Sequence, residues 1–305
     1  MKFRVWATLA TLLSGGIFSQ QAFAADAPQA PGCSWSALLN INGTGTGTNY
    51  PNAGAGADSS SSTISAGASA AAVYGCGLAH IQASIGVSDI FPWQYNYGGR
   101  GYSYSDISGF GEVDLFLRDP RQYAFGIGLD RYAEQEHFAG FGGFSARNFD
   151  SNWNFVYGRA FGEYYLNDQI TMGGTLYYGA GDDADGFNGF DYLQSDLGGS
   201  AYVRYYATPN LRLGLRGYIG QQSQTVTNTY WNYSYGIASA EYKFDGTPLS
   251  LLASLHYGGT SETSSVNNPK EPTNYVEGAV GLTIALGDHA NGSLLEQDRA
   301  GVFQH

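Results

Sequence analysis

From Leu197 to Ile219 the side chains change character at every step. Leu197, Gly199, Ala201, Val203 and Tyr205 alternate with Gly198, Ser200, Tyr202, Arg204 and Tyr206. After Ala207-Thr208-Pro209-Asn210 the order resumes, with Leu211, Leu213, Leu215, Gly217 and Ile219 set against Arg212, Gly214, Arg216 and Tyr218. A period of two is a β-strand with one apolar and one polar face, and Pro and Asn between two such runs make a turn. Each run is about ten residues, long enough to cross a bilayer when tilted. The same unit recurs along the chain. It predicts strands over 34–46, 62–74, 78–90, 104–118, 123–137, 151–166, 170–182, 194–207, 211–223, 231–244, 249–262 and 274–287. The strand over 62–74 is the weakest of these, because Ala and Ser dominate it and Ala is a poor strand former.

The connections alternate in kind. Tight turns fall at 75–77, 118–122, 167–169, 208–210 and 245–248, and longer stretches rich in Gly, Asn, Ser and Asp fall between. The fold class is therefore all-β: a transmembrane antiparallel up-and-down barrel of about twelve strands, with short turns on one side and long loops on the other. An even strand count places both ends of the barrel on the turn side. Cys33, at the start of the first strand, then lies beside Cys76, in the turn after the second, and the pair is expected to form a disulfide.

Composition agrees with that reading. Charged residues are 13% of the chain, about half of the roughly 25% usual in soluble domains, while Gly, Tyr and Phe number 44, 24 and 17. The net charge of −12 argues against nucleic acid as a partner. Residues 1–24 read as a cleaved export signal: Lys2 and Arg4, an apolar run from Val5 to Phe18, then Ala22-Phe23-Ala24. Residues 25–33 read as a linker, 34–287 as the barrel and 288–305 as a polar tail on the periplasmic side.

The alternation, the turn asymmetry and the last strand, Tyr275 to Leu286, together resemble the porin-like outer-membrane β-barrels of Gram-negative bacteria. The resemblance covers Ser34 to Leu286. It implies outer-membrane lipid and lipopolysaccharide as surroundings, the barrel-assembly machinery as a partner during biogenesis, and residence in the outer membrane. The chain departs from the pattern at its end, where the family usually stops at a terminal aromatic and this sequence runs on.

Charge assigns the faces, because a lipid-facing Arg at the bilayer midplane costs about 2–4 kcal/mol. Glu112, Asp114, Arg159, Glu163, Arg204, Arg212, Arg216, Glu241, Lys243, His256 and Glu277 are accordingly expected to point into the lumen as pore-lining charges. Tyr102, Tyr104, Tyr123, Tyr164, Tyr205, Tyr233, Tyr242, Phe244, Tyr257 and Tyr275 fit interfacial girdles. The loop from Gly181 to Asp191 carries Asp182, Asp183, Asp185 and Asp191, a weak cation candidate whose spacing does not match a Ca²⁺-binding loop. No cofactor or metal-ligand spacing stands out. His256 shares a face with Ser254 and Ser250, but that face is luminal, whereas a lipid-acting barrel needs its Ser and His on the outside near a rim. The chain is accordingly read as a non-enzyme.

Three functions follow from these residues. The first is a narrow, charged passive channel for small hydrophilic solutes or ions. The alternative is a closed structural or surface-interaction barrel in which the luminal charges pair with one another. The third is a barrel enzyme acting on lipid. About eight strands leave a filled interior and 16–18 leave an open one, so a count near twelve leaves the first two open.

Overall fold

The computed structural model describes residues 32–49, 60–97, 100–141, 149–185, 190–224, 229–264 and 273–303. The export signal and most of the linker lie outside them. The strands are β1 Cys33–Asn49, β2 Ser60–Cys76, β3 Ala79–Tyr97, β4 Arg100–Asp119, β5 Tyr123–Phe141 and β6 Phe149–Asn167, followed by β7 Ile170–Asp185, β8 Phe190–Thr208, β9 Leu211–Gln224, β10 Thr229–Lys243, β11 Leu249–Ser264 and β12 Thr273–Gly287. Each strand pairs antiparallel with its sequence neighbours, and β12 pairs with β1 from Ser36↔Gly287 to Asn49↔Asn274, closing the barrel. Closure leaves no strand edge unpaired, which a sheet in lipid requires.

The period of two sets which side chains meet lipid. Ile127, Leu129, Leu215, Ile219, Leu255 and Val280 stand exposed on the outer surface, while their alternates are buried in the bore. At the turn end the outer surface carries Trp35, Tyr74, Tyr164, Tyr205, Tyr242 and Phe244, an aromatic band at one rim. Tyr233 and Tyr275 do not belong to a girdle. They share parity with Glu241 and Glu277, point inward and pack together with Tyr235. The side chains of Tyr102 and Tyr104 lie outside the described residues.

The strands run further on the loop side than the sequence pattern suggests. β3 and β4 stay paired out to Tyr97↔Arg100, past an irregularity between Ile90 and Trp93. The segment expected as an acidic loop is also paired backbone, from Asp182↔Leu193 to Asp185↔Phe190. Asp182, Asp183, Asp185 and Asp191 therefore sit in strands rather than on a loop, and their side chains lie outside the described residues.

The Ala- and Ser-rich β2 is held by ladders on both sides, along Ser60–Cys76 against β1 and from Ser65 to Cys76 against β3. Cys33 and Cys76 are direct register partners and are joined by a disulfide, with Cα atoms 4.2 Å apart. The bond closes a loop with a sequence separation of 43, for which chain entropy gives a stabilisation of about 3–4 kcal/mol. Reduction, or a paired Cys33→Ser/Cys76→Ser change, is expected to lower the urea midpoint of the refolded barrel. Thiol labelling under non-reducing conditions should find no free cysteine, and two labelled cysteines would refute the bond in the folded protein.

After β12 the chain turns inward. Gly287 has φ +95°, and a Cβ there would lie 2.6 Å from the Trp35 carbonyl oxygen, so this reversal requires glycine. Asp288 extends the seam with β1: its amide donates to the Trp35 carbonyl oxygen, and its carboxylate accepts from the Trp35 amide. A helix of about two turns, α1 Leu294–Ala300, then forms behind a capping box in which Ser293 and Glu296 satisfy each other's backbone amides. Residues 288–303 are not a tail extending from the barrel. They enter its turn-side mouth, where Leu294, Gln297, Asp298, Val302 and Phe303 are buried.

Candidate functional site

The bore is the site, and its contents form three layers. The first layer, at the turn end, is built around the C-terminal segment. Phe303 packs against Phe161 and Phe116, with ring centroids 4.7 and 5.5 Å away, and joins a cluster with Leu38, Val73, Ala124, Ala285 and Val302. Its main chain is held at both ends by Gln82, which donates to the Phe303 carbonyl at 2.9 Å and accepts from its amide at 2.6 Å. Arg118 donates to the Gly301 carbonyl. Asp298 lies between two wall arginines, 2.6 Å from Arg204 and 3.2 Å from Arg212, and accepts from the Tyr206 hydroxyl. Burial alone would raise the Asp298 pKa, but Arg204 and then Arg212 outweigh it and hold the carboxyl below its usual range. Arg299 reaches Asp168 and the Asn167 carbonyl in the β6–β7 turn, the Leu295 amide donates to the Pro209 carbonyl, and Lys243 donates to the Ala290 carbonyl. Anchors on β3, β4, β8, β9 and β10 mean that the segment spans the bore rather than lying along one wall.

The second layer, at mid-height, is a set of ion pairs. Arg159 makes contacts of 2.8 Å to Glu112, 2.7 Å to Asp114 and 2.9 Å to Asp130. Gly128 on β5 allows this, since a Cβ there would sit 2.0 Å from the Asp114 carboxylate and 2.7 Å from Arg159 Nε. Between this layer and the first, Glu163 pairs with Arg204 at 3.0 Å, and Glu241 pairs with Arg212 at 2.8 Å. Arg216 differs from the other arginines. It donates to the Tyr218 hydroxyl at 2.8 Å and lies over the Tyr202 ring, with no carboxylate partner among the described residues. Among the described residues no cluster of His, Cys, Asp or Glu is arranged to hold a metal.

The third layer, towards the loops, is aromatic. Trp153, Phe155 and Tyr157 stack in sequence. Asp196 accepts from Tyr233 at 2.8 Å and from Tyr157 at 3.3 Å, and Tyr218 stacks on Tyr235 at 4.3 Å.

Glu112, Asp114, Arg159, Glu163, Arg204, Arg212, Arg216, Glu241, Lys243, His256 and Glu277 all turn inward, as charge placement dictates. Apart from Lys243 and Arg216, they meet in mutual pairs. Asp130 joins the Arg159 ion pairs, Arg118 holds the C-terminal segment and Asp196 accepts from two tyrosines; all three are legible from parity, since Asp130 lies in the row opposite Leu129 and Ile127. Asp298 carried no such signal, because nothing in its neighbourhood alternates.

No family model matches this chain, and no curated protein sequence matches it. Solved structures do. The beta domain of the Bordetella autotransporter BrkA is 10% identical over 82% of this chain and 99% of that one, with a TM-score of 0.53. The deltaS2 mutant of the TodX monoaromatic hydrocarbon channel is 9% identical over 90% and 99%, with a TM-score of 0.50. The chain has the fold of the bacterial outer-membrane β-barrels. The translocator domain of the Neisseria meningitidis autotransporter NalP is a further match, 10% identical over 92% and 94%, with a TM-score of 0.47. At these identities the likeness is one of fold.

Proposed function

We propose that this outer-membrane barrel is a conduit for small hydrophilic solutes or ions that its own C-terminal segment keeps shut at the periplasmic mouth. The observation that carries the reading is Asp298 seated between Arg204 and Arg212, with Phe303 clasped by Gln82 on the far side. A polar bore wall suits an aqueous path, and a segment anchored on opposite walls closes it. The proposed setting is the outer membrane, reached with a cleaved export signal and the barrel-assembly machinery, with lipopolysaccharide around the loop end.

Planar-bilayer recording tests this. The full chain is expected to be silent, and a chain ending at Gly287 is expected to give conductance steps. The second reading, a closed structural barrel, draws on Arg159, which gathers three carboxylates at mid-height. If the truncated barrel folds and stays silent, that second reading holds.

A further inference from the structure

The luminal wall from β9 to β1 carries an arrangement that lies apart from the plug and from the arginine ion pairs. Ser254 Oγ lies 2.8 Å from His256 Nε2, and His256 Nδ1 lies 3.2 Å from Glu277 Oε1 on the neighbouring strand. Thr46 donates to the other Glu277 oxygen at 2.9 Å. The imidazole is thus engaged at both nitrogens, by a hydroxyl on one side and a carboxylate on the other. We propose that Ser254, His256 and Glu277 form a serine-nucleophile site inside the bore, acting on a small carboxylic ester that enters from the loop end.

The placement fits the roles. His256 and Glu277 are buried, while Ser254 is half-buried, so the base and its orienter are shielded and the nucleophile is reachable. Room beside Ser254 comes from small side chains in the same luminal row. Ala279 is its register partner on β12 and Ser239 its partner on β10, and beyond them stand Thr44 on β1 and Gly214 on β9. The Ser239 hydroxyl, directly across from Ser254 at a Cβ separation of about 5 Å, is the donor available to an oxyanion, a service that side-chain hydroxyls supply elsewhere. The His256–Glu277 approach is close but poorly aligned, since Glu277 Oε1 receives no linear hydrogen bond. Such contacts tighten when substrate binds.

The chemistry balances without a cofactor. Ser254 Oγ adds to the ester carbonyl carbon as its proton passes to His256 Nε2. The departing alkoxide takes that proton and leaves as an alcohol, with the acyl group on Ser254. Water then adds to the acyl carbon, giving its proton to Nε2, and the acid departs as Oγ is reprotonated. The Glu277 carboxyl faces the imidazolium that forms and orients it. The site lies in the lumen and not on the lipid face, so its substrate is a solute of the bore.

The test is covalent labelling of the refolded full chain with a small dialkyl fluorophosphonate, read by mass spectrometry on the peptide carrying Ser254. Labelling of Ser254, and not of Ser250, is expected. His256→Gln should slow it on the order of a hundredfold or more, the usual share of a general base, and Glu277→Gln less. Folding of each variant is checked by circular dichroism. An unlabelled Ser254 in the folded wild type overturns the proposal, and so does labelling indifferent to His256→Gln in a folded variant.

Discussion

Asp298→Ala is expected to release the C-terminal segment from the bore while the barrel stays folded. Asp298 is fully buried and accepts from two guanidinium groups and a phenol. A hydrogen bond to a charged partner contributes about 1.5–3 kcal/mol net. Losing this set should therefore shift the docking equilibrium on the order of a hundredfold or more. The barrel itself is protected because Arg204 keeps Glu163 and Arg212 keeps Glu241, so neither wall cation is left alone. Fluorescence anisotropy of a dye on a cysteine introduced at His305 reads the docking directly, since Cys33 and Cys76 are bonded to each other. A drop in anisotropy with an unchanged urea midpoint is the expected pair of results.

Acid should act on the same contact. The folded Asp298 carboxyl titrates below its unfolded value, so its contribution is complete above the ordinary Asp pKa of about 3.9 and is lost as pH falls through the lowered folded value. His289, at the start of the segment, is also held low, by burial acting against Asp288 and Glu296. Its neutral form is the docked one, so docking weakens as pH falls below about 6.5. A two-step anisotropy profile is expected, with the main release in strong acid. In Asp298→Ala, where the segment is already released, neither step should appear.

What the sequence reveals about this molecule follows from which interactions are periodic. Strand positions, turn side, the cysteine pair and the inward face of each charge come from parity and turn chemistry, which are local. Tyr233 and Tyr275 were open to the same reasoning, since each shares parity with an inward Glu. Position near a strand end pointed to a girdle, but parity decides. The partners of Arg159 are different in kind. They depend on the register of β4, β5 and β6, which bring Glu112 opposite Asp130 and Gly128 opposite Arg159, and no single strand carries that information. The C-terminal segment is hard to read for a further reason. A peptide docking on a polar, charged wall needs a polar face, so its composition looks solvated. The sequence holds only the Ser293–Glu296 capping box and the Val302-Phe303 pair as signs of order. The Ser254–His256–Glu277 arrangement was half visible, because its two strand-mates share a face and its acid comes from the neighbouring strand.

Arg159→Met is expected to destabilise the barrel more than any other single luminal change among the described residues. It would leave Glu112, Asp114 and Asp130 close together with no cation between them. Whether that matters depends on burial. An exposed pair is worth about 0–1 kcal/mol, whereas removing one partner of a buried pair costs about 3–5 kcal/mol. The side chains of Arg159, Glu112 and Asp114 are 8%, 5% and 0% exposed, so the buried figure applies, and the urea midpoint should fall by about 1 M or more. Lys at this position should rescue little, because one ammonium cannot present the planar fork that reaches three carboxylates. Two further results separate this account from a simple packing defect. The Arg159→Met barrel should regain stability as acid neutralises the three carboxylates. At neutral pH it should regain stability when Glu112→Gln, Asp114→Asn and Asp130→Asn are added, since removing both sides of a buried pair costs far less than removing one. A cavity left by the missing guanidinium would respond to neither change, and would mean that the network packs the bore without holding it by charge.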